Sequence, residues 1–180
     1  DVYKRQGDEV HPSALGHAIT GEILWKYLNN VYENVDSYGE PQRFDMAAVM
    51  KESYINADII DSSAADVISA GDFEKKRVCT QFPYGWECTK GEGKLEIKAE
   101  FQNLGILYFA TTNGLGGQYD VYVDGEYAGT INADFSGGWG NAIKAKQVYT
   151  SDSSAEHTIT IKKSPDSTGD LFDLLGLLVS

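Results

Sequence analysis

The sequence predicts a mainly β protein: a jelly-roll-like β-sandwich over residues 54–180, preceded by a helical segment. Three observations predict it. From about residue 54 the apolar residues recur at every second position in short runs separated by Gly-rich turns, as strands with one buried face require. Asp124-Gly125 stands between two such runs, a strong hairpin signal. Residues 13–33 instead repeat their apolar positions every three to four residues, the period of a helix face.

Taken in order, Asp1-Val2-Tyr3-Lys4-Arg5-Gln6 back-translates to GAT-GTG-TAT-AAG-AGA-CAG. That resembles a transposon end used as a sequencing adapter, so residues 1–6 are expected to be foreign to the fold. Ser13 follows Pro12 and suits an N-cap. Leu15, Ile19, Ile23 and Tyr27 then repeat every four, with Leu24, Leu28 and Val31 widening the stripe. Gly16 and Gly21 weaken this helix by about 1 kcal/mol each, and so broad a stripe calls for a large partner surface. Residues 34–53 read as a linker, with a short helix over 46–51. Strands are expected at 54–61, 94–100, 105–112, 119–123, 126–131, 144–150, 156–162 and 171–179. The run at 105–112 is continuously apolar, as in a strand buried on both faces. Many short strands at this spacing specify a sandwich.

At 180 residues, 42% hydrophobic and 12% aromatic, the chain suits one domain plus a remnant of another, or one large domain. A net charge of -12 argues against nucleic acid, whose phosphates need clustered Lys and Arg, and against an anionic membrane surface. The apolar tail at 171–179 is broken by Asp173 and Gly176 and is far short of the ~20 residues of a membrane span. Cys79 and Cys88 are the only cysteines. They would either close a hairpin as a disulfide, as in an exported protein, or stand as two free buried thiols. Two cysteines alone make no zinc site, which takes about four ligands.

The segment Gly7-Asp8-Glu9-Val10-His11-Pro12-Ser13-Ala14-Leu15-Gly16-His17 carries the candidate chemistry. A serine nucleophile needs a neutral imidazole to take its proton, and the imidazole needs a carboxylate to hold its tautomer and stabilise its cation. Asp8 is close enough in sequence to reach His11 around one tight turn. Asp8 would be the orienter, and His11 the general base and then general acid. The bland alternative is an Asp-capped turn beside a surface histidine. His17 reads as a packing or capping residue and His157 as exposed.

This segment resembles the last conserved block of the SGNH (GDSL-type) hydrolases, Asp-x-x-His-Pro before a helix; Asp8, His11 and Pro12 match it, with Gly16-His17 as a common continuation. The resemblance covers residues 7–32. It implies an α/β/α hydrolase domain whose C-terminal end is residues 7–33. It also implies ester hydrolysis by a triad whose serine comes from a Gly-Asp-Ser motif, with an oxyanion hole of the serine amide, a Gly and an Asn. The chain departs from that pattern. Gly71-Asp72 is followed by Phe73, there is no Gly-x-Ser-x-Gly elbow, and Ser13 serves better as a helix cap than as a nucleophile. The nucleophile and oxyanion hole are therefore expected outside this chain, and the chain alone is expected to be inactive.

Residues 54–180 resemble the β-sandwich domains appended to bacterial SGNH esterases. The resemblance is carried by Gly117-Gln118-Tyr119-Asp120-Val121-Tyr122-Val123-Asp124-Gly125, Phe135-Ser136-Gly137-Gly138-Trp139-Gly140-Asn141, and Phe172-Asp173-Leu174-Leu175-Gly176-Leu177-Leu178-Val179. It implies an acylated carbohydrate or other small ester as substrate, no cofactor, and a secreted or extracytoplasmic location. Trp86 and Trp139, with Tyr84 nearby, lie in Gly-rich loops where a sugar could stack; the alternative is that both tryptophans are core plugs. The Asp and Asn residues at 132, 134, 166, 170 and 173 would either hold calcium or cap turns; they lack EF-hand spacing, and no metal is assigned. Gly114-Leu115-Gly116-Gly117 is no phosphate loop, having neither the lysine nor the helix. The rival reading is a non-catalytic carbohydrate-binding or structural β-sandwich module in which Asp8 and His11 are incidental.

Overall fold

The structure, a computed structural model, describes residues 12–39, 56–136 and 140–180. It divides into two compact units, Asp1–Asp45 and Met46–Ser180. The expected foreign segment at 1–6, the short helix at 46–51 and the first residues of the strand at 54–61 lie outside the described residues.

The first unit contains helix α1, Ala14–Glu33. Its start matches the capping reading: Ser13 is extended, and its hydroxyl accepts from the Gly16 amide at 3.1 Å, satisfying a donor that has no partner within the helix. At the far end the Asn34 side chain donates to the Asn30 carbonyl at 2.7 Å, and one 3-10 turn, Val35–Ser37, follows.

The second unit is built from β1 (Asp58–Ile60), β2 (Asp66–Ser69), β3 (Glu74–Lys76), β4 (Gly85–Cys88), β5 (Leu95–Ala110), β6 (Gln118–Val123), β7 (Glu126–Asn132), β8 (Ala142–Lys163) and β9 (Phe172–Val179). These strands pair antiparallel in the order β3-β4-β9-β5-β8-β6-β7, with β1 on β9 and β2 on β5. Four of the expected strands merge into two. The runs at 94–100 and 105–112 are one strand, β5, and those at 144–150 and 156–162 are one strand, β8. The two long strands pair from Leu95↔Ile161 to Ala110↔Ala142, and register shifts around Phe101–Gly105 absorb the polar interruption at Gln102-Asn103. Bulges of this kind bend a strand rather than end it.

That bend makes a sandwich. The first half of β5 pairs with β2, and its second half pairs with β9. Two strands separate β6 from β9 in the sheet order, yet Tyr119 of β6 stacks on Phe172 of β9 with ring centroids 4.4 Å apart. The Tyr119 hydroxyl also donates to the Asp170 carbonyl at 2.8 Å. The sheet therefore folds over and encloses Leu95, Ile97, Val121, Ile159, Leu104, Ile106 and Leu174, all buried; each contributes about 1.5–3 kcal/mol. Burial alternates along the first half of β5 and becomes continuous in its second half, as the apolar run predicts.

The Asp124-Gly125 turn is as expected, with φ of 52° and 85° at the two positions. That is the primed hairpin geometry which Gly and Asp tolerate. Strands β2, β3 and β4 were not predicted. Each has only three or four residues, too few to display a period. Both cysteines are free thiols. Cys88 is buried on β4 with its Sγ 3.3 Å from the Lys90 carbonyl, while Cys79 lies in the β3–β4 connection rather than on a paired strand. Among the described residues no helix is long and apolar enough to cross a membrane.

Candidate functional site

Asp8 and His11 lie outside the described residues, as does Trp139. What is described after them is the start of α1. Ser13 acts as the helix cap, and His17, exposed, donates its backbone amide to the Ser13 carbonyl at 2.9 Å. Along α1, Leu15, Ile23, Leu24, Trp25, Tyr27 and Leu28 are exposed. A helix this apolar on its surface has the character of one made to pack against a larger body.

Trp86 is not available to a ligand. The Pro83 and Gly85 signals suggest a loop, but Trp86 sits on β4 opposite Leu174 of β9, with no exposed surface and with its indole N–H lacking a partner. It is a core residue, which corrects its candidacy for sugar stacking. Tyr84, two residues earlier, is exposed.

Two of the side chains considered for calcium, those of Asn132 and Asp170, are engaged elsewhere. Asn132 Oδ1 accepts from the Asp134 amide at 2.9 Å, as a turn residue does. Asp170 pairs with Lys163. Asp173 is buried beside Glu87 across the β4–β9 ladder; burial first, then the Glu87 charge, pushes its carboxyl up to about 7. Lys76, paired to Glu87, offsets part of that shift. Among the described residues no three His, Cys, Asp or Glu side chains converge as a metal site would need.

One Asp–His pair is present that the sequence reading missed. His157 is largely buried rather than exposed, with Nδ1 2.7 Å from Asp124 Oδ2. Its Nε2 is enclosed and without a partner. A general base must present that nitrogen to substrate, so this pair is structural. Open clefts also lie on the sandwich. One, of about 480 Å³, lies over Gly105 between Ile59 and Gln147. Another, of about 400 Å³, lies at the end of β8 among Lys94, Lys162 and Lys163.

Over 97% of its length the chain superposes on a two-domain esterase active on acetylated mannans, with a TM-score of 0.78 at 18% identity. The fold is shared with part of that esterase. The same enzyme co-crystallised with mannopentaose gives a TM-score of 0.75 at 19% identity, again over 97% of this chain. A family two carbohydrate esterase from Cellvibrio japonicus matches 69% of this chain and 33% of its own, with a TM-score of 0.51 at 14% identity. The chain spans about half of the two-domain esterase, 49% of it. No protein-family model matches the sequence, and no curated protein matches it.

Proposed function

We propose that this chain is the C-terminal part of a secreted bacterial SGNH-type serine esterase acting on acylated carbohydrates. Residues 7–33 are the end of the hydrolase domain, 34–53 the linker and 54–180 the accessory β-sandwich. Asp8 orients His11. His11 takes the proton of a serine supplied from outside this chain and returns it to the leaving alcohol; water then releases the acyl group by the same base. The observation that carries this reading is the extent of the fold likeness: it runs over 97% of the chain, and so takes in the α1 unit as well as the sandwich. The Asp-x-x-His-Pro block ahead of a Ser13-capped helix supplies the residues.

The test is to recover the coding sequence upstream of Gly7 from the source DNA and express the longer protein. A Gly-Asp-Ser block with a later Gly and Asn is expected. Turnover of p-nitrophenyl acetate and acetylated mannan should fall at least about a hundredfold in Asp8→Ala and in His11→Ala, while the 180-residue chain turns over neither ester. A nearby start codon with no such block, or turnover by the short chain that both substitutions abolish, would overturn the reading.

A further inference from the structure

The cleft at the end of β8 gathers lysines in an acidic chain. The chain carries a net charge of -12, and Lys94, Lys162 and Lys163 line this space of about 400 Å³ with Glu92. Two of the lysines are held in exposed pairs, Lys94 with Glu96 and Lys163 with Asp170, which exchange readily for a competing anion. Lys162 has no ion pair among the described residues; its ammonium stands 4.5 Å over the ring of Tyr122. The floor is a rigid turn: the Ser167 amide donates to Ser164 at 3.0 Å, and the Ser167 hydroxyl accepts from Gln118 and donates to Gly169.

Under the Lys162 ammonium lies an aromatic pair. Tyr127 of β7 meets Tyr122 edge-on with centroids 5.8 Å apart and is 60% exposed. It is also pre-oriented. Its hydroxyl bonds to the Thr130 hydroxyl at 2.8 Å, which in turn donates at 2.5 Å to the buried Asp120 carboxylate. An open ring held in place by a buried carboxylate suits the apolar face of a sugar. Lysines without an arginine fork suit an oxyanion met as a point charge rather than in a planar bidentate pair.

We propose that Lys162, which lines this cleft and reaches over the Tyr122–Tyr127 pair next to it, binds with that pair an oxyanion carried on a saccharide, either a sulfate ester or a uronate carboxylate. None of these residues belongs to the esterase reading, so the assignment stands or falls independently of it.

The test measures binding and no esterolysis. The full chain is titrated with a sulfated galactan, with its desulfated form, with polygalacturonate and with unsubstituted mannan, at about 20 and 200 mM salt. Affinity for one charged polymer at least tenfold above that for mannan is expected, weakening with salt and falling at least fivefold in Lys162→Met and in Tyr127→Ala. Desulfation abolishing binding assigns sulfate; retained binding to polygalacturonate alone assigns uronate. Because the chain as a whole repels polyanions, binding has to be local. Equal affinity for mannan overturns the proposal, as does no binding to either charged polymer, or Lys162→Met, folded by circular dichroism, binding as the parent does. Inorganic sulfate competing as well as the sugar would mean a bare anion site and overturn the saccharide assignment.

Discussion

His157 Nδ1 lies 2.7 Å from Asp124 Oδ2, joining the tip of the β6–β7 hairpin to β8. The other Asp124 oxygen accepts from the Thr158 amide at 2.8 Å, and the imidazole packs against Phe101 and Tyr149 with centroids 4.7 and 5.3 Å away. One carboxylate at a left-handed turn position thus clamps the turn, a neighbouring strand and a buried ring. This pair has the composition of half a triad without its function, because the second imidazole nitrogen faces protein.

Asp124→Asn is therefore predicted to destabilise the sandwich by about 0.5–1.5 kcal/mol at neutral pH, since Asn keeps the turn conformation and loses the charge. The bond to His157, then that to Thr158, holds the Asp124 carboxyl below the ordinary range. A depressed carboxyl stabilises above its unfolded pKa, and that stabilisation is lost as pH falls through the folded value. Urea midpoints of parent and variant should hence differ at pH 7 and converge as pH falls through the depressed folded value of Asp124, below the ordinary carboxylate range. A constant difference would mean that the charge is not what His157 and Thr158 use.

Asp173 titrates with the opposite sign. Its carboxyl, pushed up to about 7 by burial and by Glu87, contributes stability that is full below the unfolded value and lost as pH rises through the folded one. Asp173→Asn should leave stability nearly unchanged at about pH 4 and raise it by about 2 kcal/mol at pH 8. Thermal melts across that range check it; a variant less stable than the parent at pH 8 would mean that Asp173 is stabilised as an anion.

Most of the architecture is legible in the sequence because long apolar patterns report burial directly. The Asp124-Gly125 turn, the two-faced run in β5 and the strand at β9 were recoverable, and so was the helix period of α1, although its apolar stripe is exposed. Chain ends and partners were not. Gln102-Asn103 looks like a strand break, yet a bulge carries β5 across it because β8 stays paired on both sides. Glu74-Lys75-Lys76 shows no alternation because β3 is a short edge strand with its residues exposed. Pro83 and Gly85 hid Trp86 in an apparent loop, and no local signal tells that His157 meets a carboxylate 33 residues away. Pairing across the sheet, rather than residue type, decides these positions.

Two glycines separate conformational propensity from contact. A Cβ at Gly116 would fall on the Ala133 carbonyl, whereas one at Gly21 in α1 would meet nothing. Gly116→Ala should cost at least about 1–3 kcal/mol by forcing backbone apart. Gly21→Ala should raise helical circular dichroism and stabilise α1 by about 0.5–1 kcal/mol. A neutral Gly116→Ala in denaturant melts would show that the backbone at Ala133 and Asp134 yields without cost.

Trp86 offers a way to separate core from ligand contact on a single side chain. Its indole is fully buried, on a strand whose backbone pairs at this position with Lys75 of β3 and Leu174 of β9. Trp86→Ala should therefore cost about 3–5 kcal/mol through the cavity it leaves. Trp86→Phe should cost much less than the full truncation, because most of the apolar contact is kept and the N–H that is lost has no partner to orphan. If the ring only packs, the Phe variant binds oligosaccharides as the parent does while its unfolding midpoint drops. Were Trp86 a stacking platform, affinity would fall in Trp86→Phe without a matching loss of stability. Isothermal titration and urea melts on the same preparation distinguish the two outcomes, and the enclosed indole predicts the first.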